Sequence, residues 1–203
     1  MAERRTTRGR PRGFDRDEAL RRALALFWER GYEATSVSDL TAAMGIRPAS
    51  LYAAFGDKKS LFKEVVDAYG RLPAGTYMAA ALREEPTARA AFARMLRDAA
   101  VHQSGTAAHP PGCLVITAAT NVTAEDEEIA GFLRGMRDAN KVKFRDRLRA
   151  ARDAGELPAD ADCDGLADYF AAVVQGMSQQ ARDGATEADL SRIADHAMNA
   201  WPA

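Results

Sequence analysis

The sequence predicts an all-α protein, and three observations carry that expectation. Helix-capping residues Asp15, Ser36 and Asp57 each precede apolar residues spaced three and four apart. Glycines at 31 and 45 fall where two of those stripes stop. No segment shows the sustained apolar–polar alternation of a strand, and none is a repeat or of low complexity.

The elements follow in order. Asp15 is expected to cap the first helix, with Glu18 at the capping-box position and Leu20, Ala23, Leu24, Phe27 and Tyr32 on its inner stripe. Ser36 opens a second helix with Val37 and Leu40 inside, and Gly45 ends it. Pro48 suits the first turn of a third helix, where a missing N–H costs nothing. Its Leu51 and Phe55 face inward, leaving Pro48, Ala49, Ser50, Tyr52 and Ala53 largely outward. Asp57 caps a fourth helix that Lys58 opens and that carries Leu61, Val65 and Tyr69. Further on, residues 86–104 read as a helix burying Phe92, Met95 and Leu96, and residues 105–112 as a loop. The short apolar run 113–122 reads as a buried helix because its neighbours are helical. A long amphipathic helix spans 125–154 with Ile129, Phe132, Leu133, Met136 and Phe144, and Gly155-Glu156-Leu157-Pro158 breaks it. Two last helices cover 163–182 and 187–201. The expected organisation is a basic arm (1–13), a three-helix helix-turn-helix head (14–57) and a larger helical ligand-binding and dimerisation body (58–203).

The totals narrow the function. A chain of 203 residues that is 47% hydrophobic and 28% charged is ordinary for a globular protein of one or two domains. No apolar run approaches a membrane span, and the Arg-rich start lacks the apolar stretch of a signal peptide, so a cytoplasmic location is expected. Cys113 and Cys163 have no close-spaced partner, so neither a disulfide framework, a metal site nor a cofactor is implied. The net charge of −1 conceals an asymmetry. Residues 1–63 hold thirteen Lys/Arg against eight Asp/Glu, whereas the remainder holds fifteen against twenty-one. Arg4, Arg5, Arg8, Arg10 and Arg12 face only Glu3, a composition suited to a polyanion.

Two short amphipathic helices about three residues apart, with basic residues on both flanks, are what a helix-turn-helix needs to place one helix in the major groove. The pattern G-Y-x-x-T-S-V-x-x-L-x-x-x-x-G-I-x-x-x-S-L-Y-x-x-F-x-x-K-x-x-L, from Gly31 to Leu61, closely resembles the DNA-binding head of the TetR family of bacterial repressors. That resemblance implies a homodimer, an operator-binding head and a body that binds a small-molecule effector. Arg47-Pro48-Ala49 stands where many members have Ser-x-Gly, and Ala53 and Ala54 replace longer polar residues, so base contacts are expected to differ here. The stretches GRPRGFDRDEAL, PPGCLVI and GELP…LADYFAAVVQGMSQQARDGA…IADHAMNAW resemble a subgroup that includes a copper-responsive repressor of outer-membrane permeability.

The resemblance implies phosphate contacts for Tyr52 and Lys58. Thr35, just ahead of the second helix, is placed to cap that helix or to reach a phosphate. Base reading falls to Arg47, Pro48, Ala49, Ser50 and Ala53, with Arg47 suited to guanine O6 and N7 and the apolar pair to a thymine methyl. Arg8, Arg10 and Arg12 are candidates for a minor groove or for phosphates, unless the arm is merely solvated. The dimer seam is expected on Leu166, Phe170, Val173, Met177, Leu190, Ile193, Ala197 and Trp201, stripes that would otherwise close the protomer's own core. Candidate walls for an effector are Phe62, Tyr69, Phe92, Met95, His102, Cys113, Ile116, Phe132, Met136 and Phe170. Cys113 is either a small buried hydrophobe or a thiol- or copper-sensing residue, since thiolates favour soft metals. No clustered carboxylates, glycine-rich phosphate loop or HExxH motif supports an enzyme, although Cys113 with His102 or His109 is the pair an enzyme would use. A helical adaptor that binds no DNA is the other competing class. Partners expected are double-stranded operator DNA, a small-molecule effector and a second copy of the chain, with no membrane.

Overall fold

In a computed structural model, residues 13–107, 109–118, 122–123 and 126–202 are described. Arg8, Arg10 and Arg12 lie outside the described residues. Asp15 accepts hydrogen bonds from the backbone N–H groups of Asp17 and Glu18 and so starts α1 (Arg16–Arg30). Glu18 does not complete the expected capping box, because its carboxylate is drawn instead to Arg21 and Arg22 on the next turn. The box forms one helix later. Ser36 and Asp39 exchange side chain-to-backbone hydrogen bonds at 3.1 and 3.0 Å and start α2 (Val37–Met44).

Gly45 closes α2 in the left-handed region, at φ 68°, where its own N–H and that of Ile46 turn back onto the α2 carbonyls. The tight turn delivers the chain to α3 (Pro48–Phe55), which begins with Pro48 and has no side-chain cap. Asp57 caps α4 (Lys58–Tyr69), accepting from the Ser60 N–H at 2.7 Å. Helix α5 (Pro73–Glu84) carries no capping signal in the sequence: Leu72 is its N-cap and makes no side-chain bond. There follow α6 (Ala88–Gln103), a short α7 (Leu114–Thr117), the long α8 (Glu127–Asp153), α9 (Cys163–Arg182) and α10 (Glu187–Ala197). A 3₁₀ turn, Met198–Ala200, continues α10. Helix α7 is shorter than the apolar run 113–122 predicted, its C-cap falling at Ala118.

Two apolar clusters hold these helices. One joins the inner faces of α1 to α4 to Cys113, Leu114, Ile129 and Leu133, so the core of the head continues across position 57 into α7 and the first half of α8. The other packs α5, α6, the second half of α8, α9 and α10 around Phe92, Phe144 and Phe170. Ile116 touches both. Each fully buried Leu or Phe adds roughly 1.5–3 kcal/mol to such a core.

Candidate DNA-binding surface and body cavity

Helix α3 buries only Leu51 and Phe55. Their packing turns Arg47, Pro48, Ala49, Tyr52 and Ala53 to solvent, with Tyr52 half exposed at 51% and Ser50 partly covered. Among the described residues, no carboxylate lies within ion-pair distance of Arg47. The far end of α3 is fixed by Arg16, whose guanidinium makes a fork of 2.5 and 2.7 Å to Glu64 of α4. The same group lies 4.4 Å over the Phe55 ring and donates to the Ala54 carbonyl at 3.3 Å. Arg16 thus positions α3, and no local sequence pattern announces a pair 48 residues apart.

Two residues expected at phosphates are held differently. Thr35 is fully buried, and its hydroxyl donates to the Gly31 carbonyl at 2.7 Å, closing the turn between α1 and α2. Ser36 does the capping, and Thr35 presents no hydroxyl to a phosphate. The Lys58 ammonium lies 4.1 Å over the Tyr32 ring, and burial there pushes its pKa below the ordinary lysine value. Lys58 is thus engaged with an aromatic ring. Lys59 is paired with Asp126 at 2.8 Å.

Three sets of contacts tie α1 and the turn after it to the body. The Trp28 indole N–H of α1 donates to the Gly112 carbonyl at 3.0 Å, and the ring stacks on His109 with centroids 4.9 Å apart. Arg182, at the end of α9, donates to the Trp28 and Glu29 carbonyls at 3.3 and 2.8 Å, occupying the open C-terminal end of α1. Glu33 accepts from the backbone N–H of Thr123 at 3.0 Å and also from its hydroxyl.

A cavity of about 340 Å³ opens in the body between the α4–α5 junction, α7, α8 and α9. Of the ten expected wall residues, Tyr69, Cys113, Ile116 and Met136 line it. Phe62, Phe92, Met95 and Phe170 are instead fully buried, filling the two cores. Phe132 packs against the first core, and His102 faces a separate groove with Trp28, Leu72 and His109. The wall also includes Arg137, Asn140, Lys143 and Gln175, which the polar face of an amphipathic pattern does not single out. At its inner end, the Tyr69 hydroxyl donates to the Ala74 carbonyl at 2.9 Å and stands 3.3 Å from Cys113 Sγ. Burial pushes the pKa values of both groups up. Gly112 makes this arrangement possible. It sits at φ +82°, and a Cβ there would come within 3.1 Å of the Ser178 carbonyl. The Ser178 hydroxyl in turn accepts from the Cys113 N–H at 2.9 Å.

The predicted dimer stripes divide. Phe170, Met177, Leu190 and Ala197 are interior to the protomer, because α10 packs against α6 and α9. Leu166, Val173, Ile193 and Trp201 are only partly buried, and Tyr169 beside them is 39% exposed. Among the described residues, no group of three or more His, Cys, Asp or Glu is placed to hold a metal ion, and no helix is long and apolar enough to cross a membrane.

Residues 19–65 match the family described as "Bacterial regulatory proteins, tetR family", and residues 92–197 match the "Tetracyclin repressor-like, C-terminal domain". Over 197 residues the chain is 36% identical to the HTH-type transcriptional repressor ComR of Escherichia coli (strain K12), covering 97% of this chain and 93% of ComR. The chain belongs to the TetR family. It is therefore a DNA-binding transcriptional regulator with a helix-turn-helix head. A second relative, the HTH-type transcriptional repressor BdcR of the same organism, is 32% identical over 178 residues, 87% of this chain and 83% of BdcR. A solved structure of a cysteine mutant of the TetR family transcriptional regulator CifR, complexed with 26-bp double-strand operator DNA, is 42% identical. It superimposes with a TM-score of 0.89 over 95% of this chain and all of that one.

Proposed function

We propose that this protein is a homodimeric repressor that α3 seats on operator DNA and that a small molecule in the body cavity releases. The observation that carries the reading is a contact chain. Cys113 and Tyr69, on the cavity wall, touch at 3.3 Å, and Tyr69 meets Trp28 of α1 edge-on, with ring centroids 4.9 Å apart. A molecule that displaces Tyr69 therefore moves the helix on which α2 rests. Release requires that the effector bind the non-fitting arrangement of the two heads more tightly than the DNA-bound one. The operator complex of CifR and the repressor names of ComR and BdcR support the DNA partner and the sign of regulation. Second-copy contact is assigned to the open α9–α10 face around Tyr169, Val173 and Ile193. On its outer side Gly176 has nothing within 4 Å of a Cβ position, leaving room for a close helix crossing.

The thiol- or copper-sensing alternative through Cys113 keeps one favourable observation, that Cys113 lines the same cavity. Its burial and raised pKa oppose thiolate formation, and Cys163 belongs to the other core. A cavity-bound effector fits the geometry better. Cys113→Ser separates the two, since it abolishes a thiol or copper response and spares a cavity response.

The test is fluorescence anisotropy with DNA from upstream of the protein's own gene, at two salt concentrations. Wild type is compared with Arg47→Ala and Tyr52→Phe. Tight binding that falls steeply with salt is expected. Arg47→Ala should lose about 1–3 kcal/mol and relax specificity at one position. Salt-insensitive binding, or none to any sequence in a genome-wide selection, sinks the repressor.

A further inference from the structure

We propose that the body cavity takes a small organic carboxylate, held by Arg137, Asn140 and Lys143 and packed through its apolar part against Met78 and Cys113. The proposal rests on the reading of this cavity as the effector site and names the chemistry of what enters it.

The first support is the sign of the wall. Among the described residues lining the cavity, two are cations and none is Asp or Glu. Yet residues 64–203 carry twenty-one acidic side chains against fifteen basic ones. An acid-rich body whose apolar cavity shows no acid among its described lining residues is arranged for an anion.

The second is a contrast among the cations of one helix. Along the α8–α9 seam the α8 cations are committed: Lys141 to Asp168 at 2.6 Å, and Arg145 and Arg149 to Asp164 at 2.5 and 3.1 Å. On the cavity side, Arg137, Asn140 and Lys143 recur at three-residue steps and so share a face. Neither of that side's two cations has a carboxylate within ion-pair distance among the described residues. Arg137 donates to the Val115 carbonyl at 3.2 Å, an acceptor without charge.

The third is the state of Arg137 itself. Desolvation pushes its pKa below the ordinary arginine value, so burial is working against the charge. A carboxylate restores the balance and matches the planar donor fork with two parallel hydrogen bonds. The 340 Å³ available is near the lower end for small-molecule sites, which favours a ring or short chain over a long acyl tail. A polyamine or other cation is disfavoured by the same two side chains.

The test is calorimetric titration of the full-length protein with phenylacetate and hexanoate, each beside its neutral amide. Wild type, Arg137→Gln and Arg137→Lys are compared, with thermal melts to confirm folding and operator anisotropy run in parallel. At least one acid should bind saturably and about tenfold or more tighter than its amide, a margin set by charge-assisted hydrogen bonding. That preference should collapse in Arg137→Gln and persist in Arg137→Lys. Equal binding within both pairs, a preference unchanged in Arg137→Gln, or no saturable binding of either acid overturns the proposal. DNA release by an amide without binding of its acid also overturns it, while leaving a ligand-released repressor intact. Binding of an acid without DNA release upholds the carboxylate site and sinks the effector reading.

Discussion

Helix α3 and the body cavity are built on opposite rules. Around α3 nearly everything is fixed. Leu51 and Phe55 are locked below, Arg16 clamps the end, and the neighbouring Lys58 and Lys59 are held by Tyr32 and Asp126. What projects from it is a short set of side chains in one register. In the cavity the helices enclose space, and among the described residues Arg137 and Lys143 have no acidic partner within ion-pair distance. The contrast teaches where rigidity is useful. A surface that reads a fixed polymer gains from having its geometry settled before contact, whereas a site that responds must retain groups whose balance a guest can change.

The contrast breaks first at Leu51. Leu51→Ala removes a fully buried side chain from the core of the head and should cost about 2–5 kcal/mol, read by chemical denaturation, with DNA affinity falling as the head loosens. The link between the two regions comes next. Trp28→Phe keeps the ring but leaves the buried Gly112 carbonyl without its donor, for a loss of about 1–3 kcal/mol. It should also weaken the effect of any cavity binder on DNA affinity, whereas a variant that melts lower yet keeps full release would show that Trp28 only supports the fold. Ser36→Ala sharpens the local side of the comparison. Removing the α2 cap should cost about 1 kcal/mol and leave binding in the body cavity unchanged in calorimetry.

The smallest effect is a pH dependence at the α2 cap. The Ser36 hydroxyl and backbone N–H hold Asp39 below the usual carboxylate range. Because the folded value is the lower one, this stabilisation is complete above the unfolded pKa of about 3.9 and is lost as pH falls through the folded value. Acid melts should therefore be steeper for wild type than for Asp39→Asn. Equal slopes would mean that the capping carboxylate does not contribute.

The head was legible because local chemistry writes it. Asp15, Ser36, Gly45, Pro48 and Asp57 each act within a few residues of their own position, and the structure uses them all. Even there Thr35 misled, since adjacent hydroxyls at 35 and 36 divide between turn closure and capping in a way that only burial decides. Helix α5 was not delimited, because beyond Gly70 the helical pattern is less distinctive and Leu72 offers no side-chain cap; its packing on α6 holds it. The cavity was half legible. Tyr69, Cys113, Ile116 and Met136 were found on apolar stripes, but a stripe reports burial without saying whether the neighbour is another side chain or a void. Phe62, Phe92 and Phe170 met side chains. Arg137 and Asn140 lay on the face that periodicity assigns to water. The dimer stripes failed in the same manner at Met177 and Leu190, whose burial is complete within one protomer.

The bond from Arg182 to the end of α1 bears on how such regulators can be recombined. It joins positions 153 and 154 residues apart, and the apolar cluster around α1 also draws in Leu114, Ile129 and Leu133. A graft that cuts the chain near residue 57 would strip α1 of its terminal donor and expose the apolar surface that α7 and α8 cover. On the proposed reading of α3, new DNA specificity is better transplanted as its handful of outward residues, leaving the joint between the two regions as inherited.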